Sequence, residues 1–586
     1  MTKPSANPPA NHPRLTGAEI LWATLTGEGV QHIFGYPGGA ILPAYDALRK
    51  FPIRHILVRH EQSAVHMADG YARATGGVGV AIATSGPGAT NMVTGIATAM
   101  LDSSPIVCIT GQVSSKVLGT DAFQEVDITG VTLPVTKHNY LASRAEDIAP
   151  MLREAFQVAQ SGRPGPVLVD ITKDAQQGHA IFDFVSAAPL PYRAHPMIRR
   201  NSSDTRRAVD LVAKAKRPVI LAGHGIIQSN AITELRDFAE KTQIPVSCTL
   251  LGLGGFPASH PLALGMMGMH GEAWVNQAIQ EADLLIAIGM RFDDRVIGTP
   301  SSYAPNAKKI HIEIDPSEIN KNVKVDVALL GDLKSVLEEL LPSIPPRDSS
   351  AWLRTIFDSK GDCAVSDIRN LPDTGHLYAA HVMNDLWHAT RGDAIVVSDV
   401  GQHQMWEAQY YKHDTPRSLI TSGGLGTMGF ALPAAIGAKI ARPDKQVWVV
   451  AGDGGFQMTS PELATIQQEK LDLNIAVINN GYLGMVRQWQ EFFYDKNYES
   501  TPLVSPDFVK LAEAYGISAT VVTKRQQIHP AVEQAQRNPR AFLIDFQVEQ
   551  EDSVYPMIPQ GAALHEMIRR PQSPPSSPLV ETAEDR

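Results

Sequence analysis

The sequence predicts an α/β protein made of three doubly wound parallel-sheet domains. Three observations carry that prediction. Short apolar runs at 78–84, 105–110, 167–171, 218–222, 284–289, 310–314, 394–398, 446–451 and 474–479 alternate with longer helical patterns. Several of these runs are apolar throughout, not at every second residue, as parallel strands buried on both faces require. The length, 586 residues, exceeds what one hydrophobic core organises. Strand-then-helix alternation over such a length means stacked α/β layers.

Two Pro-rich stretches without periodicity, 187–196 and 341–347, divide the chain. The expected domains are 14–186, 197–342 and 376–550, each of single-domain size, with a helical connector after the second break. Residues 551–586 form a C-terminal segment whose Pro/Ser-rich end reads as a flexible tail. The first and third pieces share a local pattern. Thr84-Ser-Gly-Pro-Gly-Ala-Thr-Asn and Thr421-Ser-Gly-Gly-Leu-Gly-Thr-Met each open a run rich in small residues. Small residues let a helix lie close to a sheet or to a second helix. Two related domains flanking a different one are therefore expected.

Composition excludes several classes. The chain carries 51 basic and 61 acidic residues, a net charge of −10. An acidic chain without a basic stripe does not suit nucleic acid. Its 3 cysteines, Cys108, Cys248 and Cys363, form no CxxC pair. A reducing compartment without a thiolate zinc site follows. The polar, Pro/Asn-rich start has neither signal-peptide nor transit-peptide character, and no apolar run is long enough to span a bilayer, so the cytoplasm is expected. The 46 glycines and 41 prolines are dispersed, as many tight turns between elements would have them.

The strongest motif is Gly452-Asp453-Gly454, followed after 24 residues by Asn479-Asn480. Each half alone is an ordinary Asp-Gly or Asn-Gly turn. Both halves, however, end predicted strands, where open parallel sheets bind ligands. A carboxylate and an amide oxygen suit a hard cation such as Mg²⁺ that bridges phosphates.

This pattern resembles the diphosphate-binding signature of thiamin diphosphate enzymes. The resemblance implies that Asp453, Asn480 and the main-chain carbonyl of Tyr482 hold Mg²⁺, and that Gln402 and His403 reach the diphosphate. Gly426, Gly452, Gly454, Gly455 and Met485 complete that cofactor's expected surroundings. Glu61, in Arg59-His-Glu-Gln-Ser-Ala-Val-His, follows a strand and starts a helix with an apolar face. Taken alone, it is an acidic residue favoured by the helix dipole. By the resemblance it is the glutamate that hydrogen-bonds the cofactor's aminopyrimidine and drives acid–base catalysis through it. Met428 is then the bulky side chain that holds the cofactor bent. Glu61 and Asp453 come from different domains, and the family joins them across a head-to-tail dimer.

Four further segments are similar to the catalytic subunit of the acetohydroxyacid synthase (acetolactate synthase) family. They are Gly35-Tyr-Pro-Gly-Gly-Ala40, Gly119-Thr-Asp-Ala-Phe-Gln-Glu125, Met290-Arg-Phe-Asp-Asp-Arg295 and Leu483-Gly-Met-Val-Arg-Gln-Trp-Gln490. The resemblance runs from about residue 15 to 567. It implies decarboxylation of pyruvate and transfer of the two-carbon unit to pyruvate or 2-ketobutyrate, the first common step of branched-chain amino acid biosynthesis. Gly39, Gln124, Lys173, Arg295 and Trp489 join Glu61 and Met428 as the expected catalytic set. Arg295 suits a substrate carboxylate, because a guanidinium fork matches that anion.

The middle domain lacks GxGxxG after its first strand. Even so, Arg163, Gly223, Thr249, Leu250, Met269, His270, Gly289, Arg291, Asp293, Glu313 and Asp332 resemble the family's FAD-binding positions, so a central FAD-binding domain is expected. Glu313 departs from the family's usual Asp, Ser114 from a frequent Pro, and Gln560 falls at a variable position. The resemblance also implies a homodimer or tetramer and allows for a small regulatory subunit. The rival expectations are an FAD- and thiamin diphosphate-dependent pyruvate oxidase, another 2-ketoacid carboligase and a non-catalytic nucleotide-binding subunit.

Overall fold

The computed structural model describes residues 13–187, 202–361, 368, 371 and 375–571. Most of the first Pro-rich break, Cys363 and the end of the tail lie outside the described residues. Among the described residues, three six-stranded sheets dominate, and every pairing within them is parallel.

In the first region, β1 (Arg14–Thr16) is followed by β2 (His32–Gly35), β3 (Arg54–Leu57), β4 (Gly79–Ala83), β5 (Ile106–Gln112), β6 (His138–Ala142), β7 (Val167–Thr172) and β8 (His179–Ile181). The sheet runs β3-β2-β4-β5-β7-β6. β1 and β8 form a separate antiparallel ribbon.

The middle region has β9 (Pro218–Ala222), β10 (Val246–Cys248), β11 (Ala263–Met266), β12 (Leu284–Ile288), β13 (Lys308–Glu313) and β14 (Val327–Leu330). They are ordered β11-β10-β9-β12-β13-β14. This is the 3-2-1-4-5-6 order of dinucleotide-binding sheets, with the chain reversing direction between β9 and β12.

The third region has β15 (Ala394–Ser398), β16 (Leu419–Thr421), β17 (Gln446–Gly452), β18 (Asn474–Asn479), β19 (Ser518–Val522) and β20 (Phe542–Gln547). Its order, β16-β15-β17-β18-β20-β19, repeats that of the first sheet strand for strand. The two flanking regions thus share a topology that the middle one lacks. All nine predicted apolar runs fall on strands, and most are completely buried, as at β4, β9, β12 and β15.

The flanking regions share one core. Phe34, Ile56 and Cys108 of the first sheet's layer belong to the same buried cluster as Val397, Val449 and Ile475 of the third. The helix Glu61–Thr75 packs on the helix Ala431–Ala441 between them. Their small residues permit this approach. A Cβ on Gly437 would lie 1.9 Å from the Met67 carbonyl oxygen, and one on Gly70 would lie 2.0 Å from that of Ala434.

Buried charge seals the same junction. Arg73 is bound by Asp69 and Asp102, each at 2.7 Å. It also donates to the Thr421 carbonyl. The Asp102 carboxylate in turn accepts the amides of Gly423 and Gly424. The loop after β16 is therefore held by the first region.

Candidate functional site

The carboxyl ends of β15, β17 and β18 converge on one narrow pocket. Gln402 opens the helix Gln402–Tyr410 just after β15, and Asp453 opens the helix Asp453–Thr459 directly after β17. First-turn amides have no partner within their own helix and attract anions. Gln402, His403, Gly452, Asp453, Gly454, Gly455, Asn480, Tyr482, Met485 and Met428 all line this pocket.

The polar atoms there are ordered. Asp453 Oδ2 accepts from Ser505 Oγ at 3.0 Å, and burial pushes its carboxyl up to about 6. Asn480 Oδ1 accepts the Tyr482 amide at 3.1 Å. Burial drives His403 down to about 3, so its ring is neutral, and Nε2 accepts the Gly452 amide. Gln402 lines the pocket as well. Its side-chain amide donates to Gln488 Oε1 and to the Asp552 carbonyl, which leaves the main-chain amide of its helix end for an anion.

Sequence reasoning missed Asp399 as a positioning group. Its buried carboxylate accepts the amides of Val400, Gly429 and Phe430. It thereby ties the strand end before Gln402 to the loop that carries Met428. A buried aspartate just before a glycine loop is the only signal in the sequence.

A second, larger cavity of about 940 Å³ lies between all three regions. Gly426, Met428, Met485, Trp489, Arg295, Arg163, Thr249, Leu250, Met269, His270, Gly289, Arg291, Asp293, Glu313 and Asp332 line it, and Met428 and Met485 also line the narrow pocket. Gly223 does not line it. Gly223 instead packs against Gly289, whose carbonyl oxygen leaves no room for a Cβ.

Several of these lining groups are already engaged. Arg163 pairs with Glu318 at 2.9 Å. Asp332 caps the helix Leu333–Leu340 through the Ser335 amide. Burial pushes Glu313 up to about 7, and its Oε1 accepts the amides of Ile314 and Asp315. Arg291 pairs with Asp293 Oδ2, while Asp293 Oδ1 is buried without a hydrogen-bond partner. Burial lowers His270 to about 4.

The first region's expected residues stand elsewhere. Glu61 heads its helix and accepts from Asn91 Nδ2 at 2.9 Å. Gln124 has a left-handed φ of 61° and sits against Gly86, whose missing Cβ makes room for its backbone. Lys173 opens a short helix after β7, and Gly39 has open space where a side chain would be. None of Gly39, Glu61, Gln124 and Lys173 lines either pocket. These four residues therefore stand apart from both pockets, and large apolar side chains near each group are exposed. Tyr36, Leu42, Val117 and Phe123, the last 87% exposed, belong to the first region, and Leu425, Met458, Val486 and Val504 to the third.

Residues 15–131, 205–340 and 399–546 match the thiamine pyrophosphate enzyme N-terminal TPP-binding, central and C-terminal TPP-binding domain models. The acetolactate synthase large subunit of Corynebacterium glutamicum is 49% identical over 94% of this chain and 89% of its own length. The chain belongs to the acetolactate synthase large-subunit family. The acetolactate synthase of Mycobacterium bovis is 47% identical over 94% of this chain and 91% of its own. A probable acetolactate synthase large subunit of Methanocaldococcus jannaschii is 45% identical over 95% of both. As a member of the family, the chain is a thiamin diphosphate-dependent acetolactate synthase. Among the described residues, no helix is long and apolar enough to cross a membrane.

Proposed function

We propose that this acetolactate synthase works at a site assembled from two copies of the chain. The observation that carries this reading is the separation of Glu61 and Gln124 from the Asp453–Asn480 pocket, with large apolar side chains exposed near each. Closure of one apolar set on the other set of a second copy would bury both. A head-to-tail homodimer, or a tetramer of two such pairs, satisfies this arrangement.

Asp453, Asn480 and the Tyr482 carbonyl offer a carboxylate, an amide oxygen and a peptide oxygen. That set fits Mg²⁺ sharing phosphate oxygens. The first turn of the helix Gln402–Tyr410 supplies amides for the diphosphate, while Met428 stands beside the same pocket. When bound, thiamin diphosphate supplies the electron sink for loss of CO₂. Glu61 from the partner would hold a proton at the pyrimidine end.

The larger cavity fits FAD. It lies against the β9/β12 reversal, with Gly225 and Gly289 packed tightly enough to exclude side chains. Asp293 Oδ1, an acceptor lacking a donor, lies in its wall. Arg295 and Trp489 line the same cavity as Met428, where they would meet the 2-ketoacid carboxylate and the acceptor's alkyl group. Pyruvate and 2-ketobutyrate differ there by one methylene, worth about 1–3 kcal/mol in an apolar pocket. The name large subunit, carried by relatives, supports pairing with a small regulatory subunit.

Product analysis tests this reading. Wild-type protein with pyruvate, thiamin diphosphate, Mg²⁺ and FAD should yield acetolactate and CO₂, plus acetohydroxybutyrate when 2-ketobutyrate is added. Trp489→Leu should reduce the acetohydroxybutyrate share about 5- to 150-fold while acetolactate formation continues. Acetate with peroxide as the products would indicate a pyruvate oxidase. An unchanged product ratio would remove Trp489 from the acceptor pocket.

A further inference from the structure

The side-chain amides of Gln488, Gln402 and Asn480 form a buried chain that joins the C-terminal segment to the proposed metal site. Gln488 is wholly buried on the helix Gly484–Phe493. Its Oε1 accepts the Val554 amide at 2.8 Å, and its Nε2 donates to the Val554 carbonyl at 3.2 Å. Main-chain groups cannot exchange donor for acceptor. Val554 therefore fixes which way the Gln488 amide faces.

The polarity then propagates. Gln488 Oε1 also accepts from Gln402 Nε2 at 2.9 Å. The Asp552 carbonyl, 3.1 Å from the same nitrogen, is its second and longer acceptor. Gln402 Oε1 is consequently turned toward Asn480 and accepts from its Nδ2 at 3.3 Å. Asn480 is left with Oδ1 free of Gln402 and directed to the Tyr482 amide. Gly484 is what admits the pair, since a Cβ there would lie 2.2 Å from Gln402 Oε1.

We propose that Gln488 is a positioning residue that, through Gln402, presents the oxygen and not the nitrogen of the Asn480 amide to the divalent cation. The inference rests on the reading of Asn480 as a metal ligand. Without Gln488, the Asp552 carbonyl is the remaining acceptor for the Gln402 amide, which turns over more readily and then brings its NH₂ against that of Asn480. Two donors then face each other, and Asn480 rotates its oxygen away from the cation. Residues that orient a ligand in this way typically change metal affinity 10–100-fold when removed.

The test is the affinity for Mn²⁺ with thiamin diphosphate, read by water-proton relaxation and calorimetry on the full-length protein. Gln488→Met keeps the side-chain length but removes both polar atoms. It should weaken Mn²⁺ binding at least tenfold. Gln488→Glu, kept neutral by burial, retains an acceptor for the Val554 amide and Gln402 and an O–H donor for the Val554 carbonyl, and should stay within about threefold of wild type, below the loss expected when an orienting residue is removed. Wild-type affinity in a folded Gln488→Met protein would overturn the relay alone. So would an equal loss in both variants. If Gln488→Met does not fold, Gln488→Glu decides, and a tenfold loss there contradicts the proposal. Failure of the wild-type protein to bind Mn²⁺ with thiamin diphosphate would overturn the site reading and the relay together.

Discussion

Glu61→Gln lowers kcat for acetolactate formation by about 10²–10⁴-fold, the usual contribution of a positioned acid–base group. The substitution keeps length and shape, and the new amide oxygen can still accept from Asn91, which lies 2.9 Å from the present carboxylate. The fold is little affected. Glu61 is only partly buried at the head of its helix, and losing its charge there removes about 0.3–1 kcal/mol of dipole stabilisation. The measurement is steady-state turnover at saturating cofactor, with circular dichroism as a check on folding. Turnover at the wild-type level would exclude Glu61 from the chemistry.

Asp453→Asn acts at the proposed metal site. Asp453 supplies the only carboxylate in the proposed metal set, and its burial already disfavours a charge that no cation balances. The amide keeps the volume and an oxygen for Ser505 Oγ but removes the negative charge. Affinity for Mg²⁺ with thiamin diphosphate should fall more than about 100-fold, beyond the range for residues that only orient a ligand. A calorimetric titration reads this directly. Affinity within threefold of wild type would move the metal elsewhere.

The central strands of all three sheets were legible in the sequence, because burial on both faces makes them continuously apolar. Several strands at or near the edges were not, although the edge strand before Glu61, β3, was. β6 and β19 are partly exposed and β11 and β14 alternate, which breaks the apolar run. The 3-2-1-4-5-6 order of the middle sheet was also hidden, since its first strand is followed by Gly223-His-Gly225 and not by a full glycine fingerprint.

The strand-end loops of the proposed site were legible for a different reason. Backbone that must approach phosphates needs glycine, and the glycines fall at strand ends beside Asp453 and Asn480. The groups that position the site could not be read. Asp102 meets Gly424 across 322 residues, Arg73 meets Thr421 across 348, and Gln402 meets Gln488 across 86. Contacts at such separations leave no local pattern. The separation of Glu61 from Asp453 was likewise not decidable from sequence, which allows one chain to supply both.

Mixing the two inactive variants tests the two-chain site most directly. Glu61→Gln and Asp453→Asn chains, co-expressed with different tags, should form hybrids in which one of the two sites carries both intact residues. Random pairing makes half the dimers hybrids, so total activity should return to about a quarter of wild type, and purified hybrids to about half. Purified hybrids as inactive as either parent would contradict a site built from two chains and return Glu61 and Asp453 to one subunit.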